Sequence, residues 1–193
     1  MSELNKTTKE NMIKNKEDLK YYLSEDAKRY NVRFIDCLLF NESYFVLKYL
    51  KNLRKLEYLT NIKKNPFQLF LYYYRFWNHK RMSYKYRLHI GINSCGPGLF
   101  IPHLGGITAV PSKAKVGAHC TINADVIIGN LYDFNKVATI GDNVELALGC
   151  KIIGKVKIGD NAKIAPNSVV VRNVPANASA FGVFAKNIKP DEI

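Results

Sequence analysis

The chain has 193 residues, enough for one domain and a smaller appendage and too few for a multidomain machine. With 47% hydrophobic and 23% charged residues it carries enough apolar material for a core, which excludes a disordered chain. Its 29 Lys and Arg against 16 Asp and Glu give a net charge of +13, which favours nucleotide phosphates, nucleic acid or a membrane surface without choosing among them.

The start, MSELNKTTKENMIKNKEDL, has no apolar segment of signal-peptide length, so a cytoplasmic location is expected. Apolar residues recur at spacings of three and four over Asp18 to Tyr30 and Tyr44 to Tyr58, as at Phe45, Leu47, Leu50, Leu53 and Leu56. This periodicity predicts two amphipathic helices. Asn65-Pro66 breaks the chain, and FQLFLYYYRFWNHKRMSYKYR predicts a third helix whose aromatics alternate with Arg75, Lys80, Arg81, Lys85 and Arg87. Such a helix packs on its own domain or a sister subunit, or it lies on anionic headgroups as a peripheral contact at the inner face of a membrane.

Composition changes near residue 90. All 12 glycines follow that point and 18 of the 23 aromatics precede it, while residues 1–90 hold 19 basic and 9 acidic side chains, most of the charge imbalance. The expected division is a basic, aromatic-rich helical domain over 1–88 and a second domain over 89–193 that ends in a C-terminal cap.

The second half repeats every six residues. Val110, Val116, Ile122, Ile128, Phe134, Ile140, Leu146, Ile152, Ile158, Ile164 and Val170 are all apolar, an eleven-fold run whose chance probability is on the order of 10⁻⁴. Compact residues such as Cys120, Val126, Val144, Cys150 and Ala162 follow four positions on. One large and one small inward side chain per six residues suits a short strand and a tight turn stacked into a parallel β-helix. Cys120 and Cys150 then pack the core, and the four cysteines lack any C-x-x-C pair, so reduced, inert thiols are expected. A shorter series, Cys95, Ile101 and Ile107, is out of phase with the main one, and a register defect often accompanies a site.

CGPGLFIPHLGGI together with TIGDNVELALGCKIIGKVKIGDNAKIAPNSVVVRNVPANASAFGVFAKNI resembles the hexapeptide-repeat acyltransferases of the serine acetyltransferase type, over about residues 88–189. The G-P-G-L-F-I-P-H run is more closely similar to the colanic-acid and capsule O-acetyltransferases of that group. The resemblance implies an α+β chain: an N-terminal helical domain followed by a left-handed parallel β-helix. It also implies an enzyme with acetyl-CoA as donor, no metal, and a homo-oligomer that is a trimer or a dimer of trimers.

Acyl transfer from a thioester to a hydroxyl needs a base, and histidine is the natural one near neutral pH. Of His79, His89, His103 and His119, His103 lies beside Gly105-Gly106, where the backbone turns and an acceptor can approach. In the resembled family the histidine of this motif takes the acceptor's proton, which makes His103 the expected catalytic residue. His119 in its regular turn is expected to be structural, and His79 to lie on a helix surface. The family's donor slot maps onto Ala147, Leu148, Ala165, Pro166, Arg172 and Lys186. The segment Gly129 to Thr139 is expected to form an extended loop, and in the family such a loop leans over the acceptor, which nominates Tyr132, Asp133 and Lys136. Aligned through His103, the family's serine-handling positions fall on Leu88, Ile90 and Val137, which cannot polarise an amino acid.

The leading expectation is therefore an acetyl-CoA-dependent O-acetyltransferase acting on a sugar hydroxyl in surface polysaccharide biosynthesis. A serine O-acetyltransferase and a non-catalytic β-helix scaffold are the alternatives. Nucleic-acid binding is not expected, because no recognised module accompanies the charge.

Overall fold

The computed structural model describes residues 11–130, 133, 135–183 and 186–188. Three helices come first: α1 (Lys16–Lys28), α2 (Glu42–Asn61) and α3 (Pro66–Tyr86), with a 3-10 turn over Phe34–Cys37 between α1 and α2. Each α-helix starts on an asparagine whose side chain accepts a hydrogen bond from an otherwise orphaned amide, Asn15 from Asp18, Asn41 from Ser43 and Asn65 from Gln68. Pro66 then occupies the first helical position of α3, where its missing N–H costs nothing. Arg87 ends α3 with a left-handed φ of 55°, which turns the chain into the first strand.

The strands are β1 (Leu88–Ile90), β2 (Thr108–Val110), β3 (Lys115–Val116), β4 (Thr121–Ile122), β5 (Ile127–Gly129), β6 (Thr139–Ile140), β7 (Glu145–Leu146), β8 (Lys151–Ile153), β9 (Lys157–Ile158), β10 (Lys163–Ile164), β11 (Val169–Val170), β12 (Ser179–Phe181) and β13 (Lys186–Ile188). They form three faces, β1-β2-β5-β8-β11, β3-β6-β9 and β4-β7-β10-β12-β13, parallel throughout except for the final β12–β13 pair. This is the expected parallel β-helix of hexapeptide repeats, about four turns long, behind a helical N-terminal part.

Leu146 pairs with Ile164 and Ile140 with Ile158, an 18-residue step, so three hexapeptides make one coil. Val116 pairs with Ile140 across 24 residues. The surplus hexapeptide is the segment between β5 and β6, a loop as expected, and Phe134 within it lies outside the described residues. The other ten members of the apolar series point inward, none more than 3% exposed, beside buried Cys120, Val126, Val144, Cys150 and Ala162. At roughly 1.5–3 kcal/mol for each large side chain removed from water, this column is the main source of the solenoid's stability. Corners between faces take left-handed backbone at His119, Asn143, Asn161 and Asn177, and a Cβ at Gly141 would collide with the Asp160 carboxylate of the next coil.

The helices are bolted to the first coil. Arg54 is fully buried, with Nε 2.8 Å from Asp26 Oδ2 and Nη1 3.0 Å from Glu57 Oε2, and it also donates to the carbonyls of Cys95 (2.8 Å) and Gly96 (2.6 Å). Burial works against this charge, but the carboxylates of Asp26 and Glu57 outweigh it and hold the guanidinium protonated. Tyr49 Oη donates to Leu88 O (2.9 Å) and accepts from Ile90 N (3.2 Å), so α2 and the solenoid share one continuous core.

Two expectations need correction. Ile107 is half exposed whereas Cys95 and Ile101 are fully buried, because the chain leaves the rung after Ile101. His79 is buried rather than superficial, its ring 5.2 Å from that of Tyr49.

Candidate functional site

His103 sits on the passage that carries the chain from the third face back to the first, between the Phe100–Thr121 bridge and β2. Three contacts hold this passage. Ile101 N donates to Tyr30 Oη at 2.7 Å, Leu104 N donates to Glu42 Oε2 at 3.4 Å, and Ile107 N donates to the Asp125 carboxylate. Gly106, with φ 59°, lies so close to Asp125 that a side chain would strike it. Lys151 Nζ, 2.9 Å from Asp125 Oδ2, holds that carboxyl below its ordinary range.

The His103 imidazole itself is 70% exposed, and its Nδ1 lies 3.4 Å from Glu42 Oε2 at the start of α2. An exposed ring with one nitrogen occupied leaves Nε2 free to meet a hydroxyl. The other histidines are held differently. His119 adopts left-handed backbone at a corner, its carbonyl accepts from Arg29 at 3.0 Å, its ring abuts Gly98, and its Nε2 lies 3.9 Å from Glu25 Oε2. His89 points outward from β1 against the Tyr84 ring. Burial pushes the thiols of Cys95, Cys120 and Cys150 up to about 12, which leaves no thiolate nucleophile among them.

Each passage between faces recurs coil by coil and so builds an edge of the solenoid. Ala147 and Leu148 follow β7, and Ala165 and Pro166 follow β10; both pairs lie on the same edge as His103 and Asp125, one coil below another. Leu148 is 53% exposed and gives that edge an apolar strip. Asp133 and Lys136 lie between β5 and β6, and Arg172 follows β11, all on the next edge; Lys113 from the coil before donates to Asn135 of this loop at 2.6 Å. One chain therefore does not bring Asp133, Lys136 or Arg172 to His103. Lys186 belongs to β13, and Tyr132 lies outside the described residues. A depression of about 410 Å³ lined by Lys157, Asn173 and Pro175 sits on the β6–β9 face, away from the His103 edge. Glu42 is the site residue that sequence reasoning missed; only its place after the capping Asn41 marks it, and nothing in the spacing joins it to His103, 61 positions on.

Residues 138–172 match the family model described as bacterial transferase hexapeptide (six repeats). The matched stretch runs from just before β6 to just past β11, so the resemblance covers part of the solenoid. A serine acetyltransferase of Helicobacter pylori strain 26695 is 34% identical over 98 residues, half of this chain and 57% of that protein. The serine acetyltransferase of Buchnera aphidicola is 30% identical over 162 residues, 76% of this chain and 54% of the relative. This chain thus spans little more than half the length of these curated relatives. The Neisseria gonorrhoeae serine acetyltransferase, solved in complex with serine, superposes with a TM-score of 0.62 at 26% identity, over 88% of this chain and 67% of that one.

These relatives overturn the expected closeness to colanic-acid and capsule O-acetyltransferases, and with it the sugar acceptor in polysaccharide biosynthesis. The sugar reading rested on Leu88, Ile90 and Val137. All three are buried apolar side chains of the core, so they state which groups do not grip an acceptor and leave its identity open.

Proposed function

We propose that this hexapeptide-repeat protein is an acyltransferase that moves an acetyl group from acetyl-CoA to the hydroxyl of serine. The observation that carries the reading is the exposed His103 imidazole at the head of the Ala147–Pro166 edge, in a chain whose likeness to a serine acetyltransferase covers 76% of its length and so reaches beyond the solenoid. His103 Nε2 takes the hydroxyl proton as the serine oxygen attacks the thioester carbonyl. The tetrahedral intermediate then expels the coenzyme A thiolate, which recovers the proton, so the products are O-acetylserine and coenzyme A and no acetyl-enzyme forms. The small and apolar residues Ala147, Leu148, Ala165 and Pro166 form a track for the pantetheine arm. Release of coenzyme A from acetyl-CoA with L-serine tests the reading; no release above the rate of thioester hydrolysis overturns it.

Asp133, Lys136 and Arg172 occupy the neighbouring edge, so they serve this site only across copies; on this reading Arg172 and Lys186 are assigned to the donor's phosphates and Tyr132, Asp133 and Lys136 to the acceptor. We infer a homotrimer built on the solenoids. Light scattering should give about three times the 22.0 kDa chain mass, and a monomer would remove these residues from the site.

No helix among the described residues is long and apolar enough to cross a membrane. The outer face of α3 supports a peripheral contact with an anionic membrane, since Phe67, Phe70 and Trp77 are exposed there and Pro66–Tyr86 contains no Asp or Glu.

A further inference from the structure

The carboxylate paired with His103 comes from the helical part of the chain. Glu42 occupies the first turn of α2, and its Oε2 stands 3.4 Å from both His103 Nδ1 and Leu104 N. Helix α2 cannot drift away from the loop, because Tyr49 and Arg54 fasten it to β1 and to the Cys95-Gly96 backbone. The first turn of a helix is also where a carboxylate is favoured, since the unpaired amides there carry partial positive charge. The other acidic group at this rim, Asp125, is already engaged by Lys151 and by the Ile107 amide. Glu42 is thus the one carboxylate among the described residues that is paired with the His103 ring.

The pair contributes little to stability. Both side chains are half exposed or more, and exposed ion pairs contribute about 0–1 kcal/mol. What the contact does supply is orientation. A carboxylate at Nδ1 accepts a proton there and cannot donate one, so it selects the neutral tautomer with hydrogen on Nδ1 and the lone pair on Nε2. That lone pair is what proton abstraction requires.

We propose that Glu42 is the positioning residue of His103: delivered by the first turn of α2, its carboxylate holds the imidazole as the Nδ1–H tautomer and turns Nε2 toward the acceptor hydroxyl. The role in turnover rests on the acetyl-transfer reading above, while the tautomer does not.

Two measurements on the full chain separate these. The first is nitrogen NMR of ¹⁵N-histidine-labelled protein without substrate, at a pH where the ring is neutral. His103 should show a protonated Nδ1 in the wild type and in Glu42→Gln, whose amide oxygen still accepts, and should revert to the Nε2–H form in Glu42→Ala. The second is steady-state kinetics with acetyl-CoA and L-serine. Glu42→Ala should lower kcat by roughly 10–100-fold, the range typical of lost imidazole-orienting partners, with KM for acetyl-CoA and the melting temperature unchanged, and Glu42→Gln should recover most of the rate. An unaltered tautomer in Glu42→Ala overturns the proposal, as does full kcat in that variant. If the tautomer switches in Glu42→Ala yet the wild type does not acetylate serine, the acceptor reading fails and the pairing stands.

Discussion

The hydroxyl of Tyr30 accepts a 2.7 Å hydrogen bond from the backbone N–H of Ile101, two residues before His103. Tyr30 lies just past the end of α1 and is buried, with its ring 5.1 Å from that of Phe100, so the helical part sets where the His103 loop departs from the solenoid. Tyr30→Phe keeps the ring and orphans the Ile101 amide in a buried place. The cost should be about 1–3 kcal/mol, read as a lower urea midpoint, with a fall in kcat larger than any change in coenzyme A affinity. Unchanged stability and turnover would show that the loop is positioned by its other contacts alone.

General-base catalysis contributes about 10²–10⁴-fold, so His103→Ala should lose at least that in turnover with L-serine while calorimetry still detects coenzyme A binding. His119→Ala should retain most of the rate, because that ring packs at Gly98 on another edge of the solenoid. A His103→Ala enzyme of full activity would move the base elsewhere, with His89 the next histidine along the chain.

The six-residue period was legible because every sixth side chain in the strands faces the same interior, so the pattern writes the core directly. The inserted hexapeptide kept that phase, which is why only the missing small residues betrayed a loop. The helical part was readable as helices and unreadable as a clamp. Arg54 and Glu57 sit in line with Val46, Leu50 and Leu53, and charges at core positions of an amphipathic stripe were the available sign of a buried network. No periodicity reports its partner Asp26, nor the meeting of Glu42 with His103. These contacts depend on how α1 and α2 cross the first coil, a tertiary fact.

His79 makes stability pH-dependent. Burial lowers its pKa to about 4 from an ordinary 6.5, and its Nδ1 has no hydrogen-bond partner among the described residues. Between those values the unfolded chain binds a proton that the folded chain refuses, so the stabilisation is complete above the unfolded value and is lost as pH falls toward 4. At pH 4.5 the loss attributable to this residue is roughly 2 to 3 kcal/mol. His79→Phe, which keeps a ring against Tyr49 and removes the titration, should narrow the gap in unfolding free energy between pH 7 and pH 4.5 by about that amount. Equal pH sensitivity in the two proteins would mean that the histidine is hydrated or finds a partner when it protonates.

The outward side of α3 exposes a run of aromatic rings. Phe67, Phe70, Tyr74, Trp77 and Tyr84 recur at helical spacing on one side, Trp77 at 76% exposure, with Arg81 on the same side. Rings beside cations, with no acidic residue between Glu57 and Asp125, suit an interface rich in anionic headgroups. The intact protein should float with anionic vesicles at low salt, ignore neutral ones, and release at about 1 M salt, where screening reaches within ~3 Å. Trp77→Ser should weaken flotation without altering acetyl transfer, because this exposed ring belongs to α3 and not to the passage that carries His103. If the protein stays with the soluble fraction and Trp77→Ser instead lowers the assembly mass in light scattering, the face belongs between copies of the chain.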